Sequence, residues 1–318
     1  MSTPPVSDRN TAKFPGLRLP TGEQFTDWGY AAGWRLVRAL PEAVARSTFD
    51  AGARYAARGG GPEQLRKNLA RVLGVAPEAV PASLMEASLA SYARYWREAF
   101  RLPSMDLPAV AARLDAVFIG ADNLQAAHDA GRGGVLALPH SGNWDMAGVW
   151  LAQKFGTFAT VAERLKPESL FHRFVAYRES LGFEVFPLSG GQRPPIEVLS
   201  ERLRDNVFVC LMAERDLTRN GVEVDFFGEK TRMPAGSAKL AIATGAPLHP
   251  AHVYYDGDDC VVQVFDALDT SSGDVDAITQ ALADRFAENI AAHPEDWHMM
   301  QPQWLADLSV ERRARLES

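Results

Sequence analysis

The stretch LPHSGNWDMAG, residues 138–148, places His140 and Asp145 five positions apart around a Ser-Gly-Asn turn. An imidazole of ordinary pKa can take a proton from a hydroxyl or thiol at neutral pH, and a carboxylate on its second ring nitrogen would fix the tautomer. The alternative interpretation is structural, with Asp145 capping a helix and His140 lying in a turn. Because short motifs often occur by chance, the spacing alone leaves both interpretations open.

Two further apolar runs end in charged residues. VFVCLMAE ends in Glu214, and a carboxylate so close to a buried strand needs a partner, for which His140 or Arg215 is available. A lone glutamate is nevertheless more often solvated or paired with an arginine. VAERLKP offers a third charged strand end with Glu163, Arg164 and Lys166. Polar residues at three strand ends favour one shared crevice.

The elements that must position these residues begin near residue 134, where short apolar runs alternate with helical segments. The predicted strands are 135–139, 158–163, 183–188, 207–214, 246–255 and 261–268. The predicted helices lie near 144–154, 167–181, 194–205, 234–244 and 275–293. This alternation predicts an α/β fold with a central, mostly parallel (mixed) sheet flanked by helices on both faces. His140 then follows a strand's carboxyl end, where such sheets bind ligands.

The N-terminal third is predicted to be helical. Residues 26–57 form one amphipathic segment, capped by Thr26 or Asp27 and kinked or divided at Pro41. Its tryptophan, tyrosine and arginine residues are typical both of a helix packed on the domain and of one lying in a membrane interface. A second helix at 84–103 carries an aromatic cluster that we expect in the core: Tyr92, Tyr95, Trp96 and Phe100.

The domain organisation follows from this pattern. We expect a flexible N-terminus at 1–20, a single domain at 21–305 and a tail at 306–318. Within the domain, the helical region covers about 26–105 and the α/β core about 134–305. No internal repeat or linker divides the chain.

Composition narrows the class of protein. The 318 residues are 47% hydrophobic, as in soluble globular proteins, and two cysteines without a CxxC spacing indicate a reducing cytoplasm. The absence of an apolar run of 18 residues predicts no membrane-spanning helix. The net charge of −7 argues against nucleic acid as a partner. Residues 1–75 nevertheless contain 11 Lys and Arg against 6 Asp and Glu, which indicates a basic face that meets an anionic surface.

Several blocks of the sequence resemble a known family. HSGNWD has the His-x4-Asp pattern of the glycerolipid-type acyltransferases, and AERLKPE, AERDLTRNGVEVDFFGE and MPAGSAKLAIATGAPLHP resemble later blocks of its lipid A biosynthesis acyltransferase branch. Within that branch, TDWGYAAGWRLVRALPEAVA, ASYARYWREAFRLP and ALPHSGNWDMAGVWL are similar to the phosphatidylinositol mannoside acyltransferases of actinobacteria. The resemblance covers about residues 26–305.

The resemblance implies a function and a place in the cell. Such enzymes move a fatty acyl chain, typically palmitoyl, from acyl-coenzyme A to the 6-hydroxyl of the mannose on inositol position 2. They act as peripheral proteins on the cytoplasmic face of the plasma membrane. The implied partners are therefore acyl-CoA as a co-substrate, mannosylated phosphatidylinositol and an anionic membrane surface, with no metal or other cofactor.

The resemblance also assigns roles to residues. His140 would deprotonate the mannose hydroxyl, with Asp145 and Glu214 as its relay, and the acyl group would pass directly between substrates in a ternary complex. Backbone amides near the turn or Asn143 would stabilise the oxyanion. The remaining candidates for substrate binding are Arg178 and Asn220, which would hold the thioester, together with Arg164 and Arg215.

Alternative functions remain at this stage. One alternative is an acyltransferase whose acceptor is another glycolipid or a lysophospholipid, and a second, from a different class, is a non-catalytic peripheral membrane protein. His249 and His252 suggest a metallohydrolase, but in a strand they would point to opposite faces. A nucleophilic Ser141 lacks the GxSxG elbow of hydrolases. The segment DWHMMQPQW, 296–304, differs from the ending usual in lipid A relatives, which disfavours a lipid A acceptor, and we expect Trp297 and Trp304 to serve packing.

Overall fold

The computed structural model describes residues 33–164 and 168–317. The expected flexible N-terminus at 1–20, the helix cap at Thr26 or Asp27, and Lys166 lie outside the described residues. The segment 306–318, which we expected to be a tail, carries a short helix up to residue 317. Within these ranges the chain forms the single α/β domain that the sequence predicts.

In residues 33–164 and 168–317, eight strands form two sheets. They are β1 (Val135–Leu138), β2 (Phe158–Ala162), β3 (Phe183–Pro187), β4 (Val209–Met212), β5 (Val222–Phe226), β6 (Glu229–Met233), β7 (Leu248–Asp256) and β8 (Asp259–Val264). Six of them form the central sheet in the order β3-β2-β4-β1-β7-β8, parallel except for β8, which pairs antiparallel with β7. All six predicted strands are confirmed.

The helices cover both faces of this sheet. They are α1 (33–39), α2 (Glu42–Ala56), α3 (Glu63–Leu73), α4 (Ala82–Arg101), α5 (Leu107–Asp115), α6 (Ala121–Asp129), α7 (Trp144–Phe155), α8 (Glu168–Glu179), α9 (Pro195–Arg204), α10 (Gly236–Thr244), α11 (Val275–Ala292) and α12 (Val310–Glu317). Pro41 divides the predicted N-terminal helix into α1 and α2, because a proline cannot donate the helical backbone hydrogen bond. None of the described helices is long and apolar enough to cross a membrane.

Alternation along the strands builds a core on each face. In β1, Val135 and Ala137 belong to the core under α9, α10 and α11, whereas Leu136 and Leu138 belong to the core under α5, α6 and α7. Since side chains along a strand point to opposite faces, a strand that is apolar throughout must be covered twice. This double cover leaves the ends of the strands as the place where polar side chains can meet.

The hairpin formed by β5 and β6 is an addition to the predicted fold. Its buried residues alternate, with Val224 and Phe226 on β5 facing the core and Thr231 and Met233 doing so on β6. This alternation is the signal that sequence reasoning missed. Trp304 covers the hairpin and donates its indole N–H to the Phe226 carbonyl at 2.9 Å. Trp297 and Trp304 are both fully buried, which confirms their predicted packing role.

Candidate active site

His140 and Glu214 meet at the carboxyl edge of the central sheet. In the register of β1 and β4, Leu138 is paired with Met212, so His140 and Glu214 each lie two residues beyond neighbouring strand ends. The Nδ1 of His140 is 2.6 Å from Oε1 of Glu214. The same oxygen accepts the backbone N–H of His140 at 2.7 Å. Glu214 therefore fixes both the ring and the backbone of His140, and the expected partner of its buried carboxylate is confirmed.

This arrangement assigns the roles of the two ring nitrogens. A carboxylate can only accept, so Nδ1 of His140 carries the proton and Nε2 presents its lone pair. The His140 side chain is 40% exposed, while Glu214 is completely buried. In residues 33–164 and 168–317, nothing hydrogen-bonds Nε2. The geometry is that of a general base ready to take a proton from a bound hydroxyl.

Asp145 does not contact His140 through a hydrogen bond, contrary to the expected relay. Its carboxylate is buried and accepts from Nε of Arg178 at 3.1 Å and from the Tyr95 hydroxyl at 3.2 Å. Asp145 is the second residue of α7, where the helical twist turns its side chain toward α4 and α8. The His-x4-Asp spacing therefore places the His140 imidazole near a buried carboxylate that is paired with Arg178.

Asn143 holds the start of α7. Its side-chain oxygen accepts the Met146 N–H at 3.1 Å, which makes it the helix cap in place of Asp145. Its amide nitrogen donates to Glu98 at 2.9 Å, and the residue is completely buried. One of the two amide hydrogens of Asn143 is thus engaged and the residue is shielded from solvent, and its expected role in stabilising the oxyanion stays a prediction.

The backbone amides of the turn are also engaged within the protein. The N–H of His140 donates to Glu214, that of Ser141 to the Pro139 carbonyl and that of Gly142 to the Asp296 carbonyl. These three amides are therefore not free to stabilise an oxyanion. The expectation for the backbone amides at the start of α7, at Trp144 and Asp145, stays a prediction.

Gly142 allows a close approach between the turn and the central sheet. Its φ of 54° lies in the left-handed region, and a Cβ at this residue would stand 2.5 Å from the Val253 carbonyl oxygen on β7. The glycine therefore lets the loop after β1 lie directly on the sheet.

The expected shared crevice is confirmed in part. The ends of β1, β2 and β4 are adjacent in the sheet, as predicted. Arg164, after β2, is exposed and contacts Glu168 and the Gly190 carbonyl. Asn220 lies in an exposed turn, where its N–H donates to the Thr218 hydroxyl. Neither Arg164 nor Asn220 contacts the His140 pair.

Two arginines close to the pair have protein partners. Arg215 donates from Nε to the Pro302 carbonyl at 2.8 Å, and burial lowers the pKa of its guanidinium. Burial alone would also lower the pKa of Arg178, but the Asp145 carboxylate raises it above the ordinary value. Arg178 is therefore a firmly charged donor held in place by Asp145.

An apolar cavity opens beside these residues. Its volume is about 70 Å³, well below the roughly 300–1,000 Å³ of typical small-molecule sites. Leu136 and Leu138 of β1 and Cys210 and Met212 of β4 form one wall, and the far side includes Phe118. Its polar lining includes Asp145, Arg178 and the indole of Trp144, which packs edge-on against the His140 ring at 5.5 Å. The cavity is therefore mostly apolar with a polar end at Arg178, and it would have to widen to admit a long hydrocarbon chain.

Aromatic side chains surround the site on the α4 side. Tyr95 is buried as expected, and its ring packs on Trp144 at 4.2 Å between centroids. Tyr92, Trp96 and Phe100 are only half-buried, so the expectation of a plain core is wrong for them. Burial and the Asp145 carboxylate raise the pKa of Tyr95 well above its ordinary value, which keeps its hydroxyl a neutral donor.

The C-terminal segment 296–304 is a part of the site that sequence reasoning missed. The His298 N–H donates to the His140 carbonyl at 2.8 Å. Gln303 donates from its side chain to the Glu214 carbonyl at 2.6 Å. The only signal available was the unusual Trp- and His-containing composition of DWHMMQPQW, which does not reveal what the segment contacts.

His249 and His252, considered from the sequence as a pair of metal ligands, face different partners. His249 faces the Phe265 carbonyl at 2.9 Å, whereas His252 faces the Ser141 hydroxyl at 3.0 Å. In the described residues, His293, Glu295 and Asp296 are close enough to share a cation. The Asp296 carboxylate already accepts from the Ser91 hydroxyl and the Tyr255 N–H.

Comparisons with known proteins agree on one family. The sequence profile of the bacterial lipid A biosynthesis acyltransferases matches residues 16–306. A phosphatidylinositol mannoside acyltransferase of Mycolicibacterium smegmatis is 72% identical over 299 residues, 94% of this chain and 98% of its own length. A phosphatidylinositol mannoside acyltransferase of Mycobacterium tuberculosis is 69% identical over 313 residues, 96% of this chain and 99% of its own length.

We expect Asp145→Ala to act on stability through Arg178. The substitution leaves a largely buried guanidinium without its carboxylate, which lowers the free energy of unfolding by about 2–3 kcal/mol. Urea denaturation measures this change. Glu201→Ala, which breaks the exposed ion pair with Arg193, is the matched control and should behave like the wild type. An Asp145→Ala protein as stable as the control would contradict the assignment.

We also expect His252 to make the protein acid-sensitive. Burial, with a contribution from His293, lowers the pKa of His252 from 6.5 to about 3, so the folded ring stays neutral while the unfolded ring takes up a proton below about pH 6.5. Stability therefore falls as the pH drops from 6.5 toward 3, by about 2 kcal/mol at pH 5 for this ring alone.

Unfolding free energies measured across this pH range test the effect. The variant His252→Asn should show a shallower fall than the wild type, because the ring that titrates only on unfolding is gone. The exposed His172 provides the control, and His172→Asn should keep the wild-type slope. Equal slopes for all three proteins would refute the role of His252.

Proposed function

Because the chain belongs to the bacterial lipid A biosynthesis acyltransferase family, we propose that it acylates phosphatidylinositol mannosides. The acyl group, palmitoyl, passes from acyl-coenzyme A to the 6-hydroxyl of the mannose on inositol position 2. The substrate named for the relatives from Mycolicibacterium smegmatis and Mycobacterium tuberculosis supports the acceptor. The observation that carries the chemistry is the bond between Nδ1 of His140 and Oε1 of Glu214, which leaves Nε2 as a base.

The reaction is a direct transfer between the two substrates. Nε2 of His140 takes the proton of the mannose hydroxyl as its oxygen bonds to the thioester carbonyl carbon. The carbon–sulfur bond then breaks, and the imidazolium returns its proton to the coenzyme A sulfur. Glu214 keeps the ring in one tautomer and stabilises the imidazolium formed in between. No enzyme nucleophile is needed, since a thioester is already an activated acyl group.

The apolar cavity next to Trp144 receives the acyl chain, and the side chains that line it move apart as the chain enters, because its volume of about 70 Å³ is smaller than a palmitoyl chain. Its apolar walls suit a long hydrocarbon, and burial removes that hydrocarbon from water. The thioester lies at the polar end, next to the Arg178 guanidinium and the Trp144 indole. The indole N–H of Trp144 is buried without a hydrogen-bond partner in the described part of the chain. These two donors take the place of the engaged turn amides in stabilising the oxyanion.

The N-terminal helices bring the enzyme to its lipid acceptor. In α1 and α2, the apolar side chains of Leu36, Val44 and Tyr55 are exposed. Exposed arginines accompany them at Arg35, Arg46, Arg54 and Arg58. Exposed apolar groups mixed with arginines are typical of helices that lie in an anionic membrane interface. We therefore place the protein peripherally on the cytoplasmic face of the plasma membrane.

The proposal is tested with purified protein, palmitoyl-coenzyme A and a panel of acceptors. The acceptors are a phosphatidylinositol mannoside, lysophosphatidate and a lipid A precursor. We expect transfer to the phosphatidylinositol mannoside, and a loss of at least about a hundredfold in kcat for His140→Ala, because the general base is gone. His172→Ala, which removes an exposed imidazole of α8 that contacts Glu168, is the control for removing an imidazole.

Two results would overturn the proposal. Full activity of His140→Ala would show that His140 is not the general base, and acylation of lysophosphatidate alone would show that the proposed acceptor is wrong.

Direct transfer has a test of its own. The intact mass of the enzyme, measured after mixing it with the donor and without acceptor, should show no covalent acyl group. An acyl group on Ser141 or Cys210 would contradict direct transfer.

A further inference from the structure

The segment 296–304 crosses the site and contacts the backbone of both members of the pair. It pairs with the turn after β1 through two backbone hydrogen bonds and one β-bridge. The His298 N–H donates to the His140 carbonyl, and the Gly142 N–H donates to the Asp296 carbonyl. The bridge joins Ser141 and Trp297. Farther along, the Gln303 side chain reaches the Glu214 carbonyl. We call segment 296–304 the strap.

The strap itself is firmly held from outside the site. Asn68 of α3 is completely buried and donates from one amide nitrogen to the carbonyls of Met299 and Gln301, at 2.8 and 2.9 Å. Trp304 anchors the far end on the β5–β6 hairpin. The strap therefore has a fixed position of its own relative to the sheet.

Gln303 is the residue that connects the strap to Glu214. It is completely buried, and its amide donates to the Glu214 carbonyl at 2.6 Å. Within the described residues, the second carboxylate oxygen of Glu214 has no hydrogen-bond partner. Apart from its place at the end of β4, Glu214 is therefore held by the bond from Gln303 and by its contacts with His140. The Glu214 peptide is therefore held on one side by the end of β4, where the Ala213 N–H donates to the Leu138 carbonyl, and on the other by Gln303.

We propose that Gln303 is a positioning residue, which holds the Glu214 peptide so that one carboxylate oxygen receives both N–H groups of His140. It touches neither substrate nor base and acts through Glu214. The inference rests on the proposed function of the His140–Glu214 pair. Small displacements of a base cost a large part of its effect, since proton transfer needs the reacting atoms at hydrogen-bond distance.

Gln303→Met tests the proposal. Methionine keeps the length and apolar volume of the side chain and removes the donor, and it also removes an amide oxygen that is buried without a partner. We expect kcat for acyl transfer to fall by about tenfold or more, with KM for palmitoyl-coenzyme A within about twofold of the wild type. Thr279→Val, which removes a buried hydroxyl from α11, controls for a small loss of stability.

A spectroscopic readout separates positioning from packing. The proton on Nδ1 of His140, held at 2.6 Å from a carboxylate, gives a proton NMR signal far downfield. In Gln303→Met this signal should shift or broaden, whereas in Thr279→Val it should remain as in the wild type. If Gln303→Met does not fold, Asn68→Ala loosens the strap from its outer side and should lower kcat in the same way.

The outcomes distinguish the two proposals. An active His140→Ala protein would refute the proposed function itself. An inactive His140→Ala protein together with a fully active Gln303→Met protein would refute only the role of the strap. If Gln303→Met does not fold, an Asn68→Ala protein with wild-type kcat would likewise refute only the role of the strap.

Discussion

The site depends on one carboxylate oxygen that receives two N–H groups of the same residue. Oε1 of Glu214 binds the backbone and the ring of His140 at once, and Glu214 is completely buried. A buried carboxylate is costly unless it is hydrogen-bonded, so the protein cannot easily release this contact. The result is an imidazole with a fixed tautomer, a fixed orientation and an exposed Nε2.

The fold produces this contact by register. β1 and β4 are distant in sequence but adjacent and parallel in the sheet, and both end at the same level, with Leu138 opposite Met212. Residues two positions beyond each end then face one another. Asn143 starts α7 immediately after the turn, and the strap ties the turn to the loop that carries Glu214. The base thus sits between two strand ends, a helix cap and a C-terminal segment.

The sequence predicts much of this arrangement, and the reasons for its failures are physical. Runs such as VLALP and VFVCLMAE are long, apolar and bounded, so their strands and the location of the site beyond them follow from local pattern. His140 and Glu214 were therefore both identified as candidates. The partner of His140 was assigned to Asp145 as well, because sequence spacing does not show how far the first turn of α7 rotates a side chain.

Other features depend on contacts between distant parts of the chain. The pairing of Asp145 with Arg178 and Tyr95 joins three helices, and the bond from Gln303 to Glu214 joins residues 89 positions apart. No local pattern encodes such contacts. Likewise, Asn143 is by type a good oxyanion donor, and only the structure shows that it is buried and that one of its amide hydrogens is bound to Glu98.

A double-mutant cycle on kcat tests most directly whether His140 and Glu214 act as one unit. Acyl transfer is measured for His140→Ala, Glu214→Gln and the double variant, with palmitoyl-coenzyme A and the phosphatidylinositol mannoside acceptor. If Glu214 acts only through the His140 ring, the double variant retains the same residual kcat as His140→Ala. If Glu214→Gln lowers kcat by the same factor with and without His140, the two residues act independently and the account is contradicted.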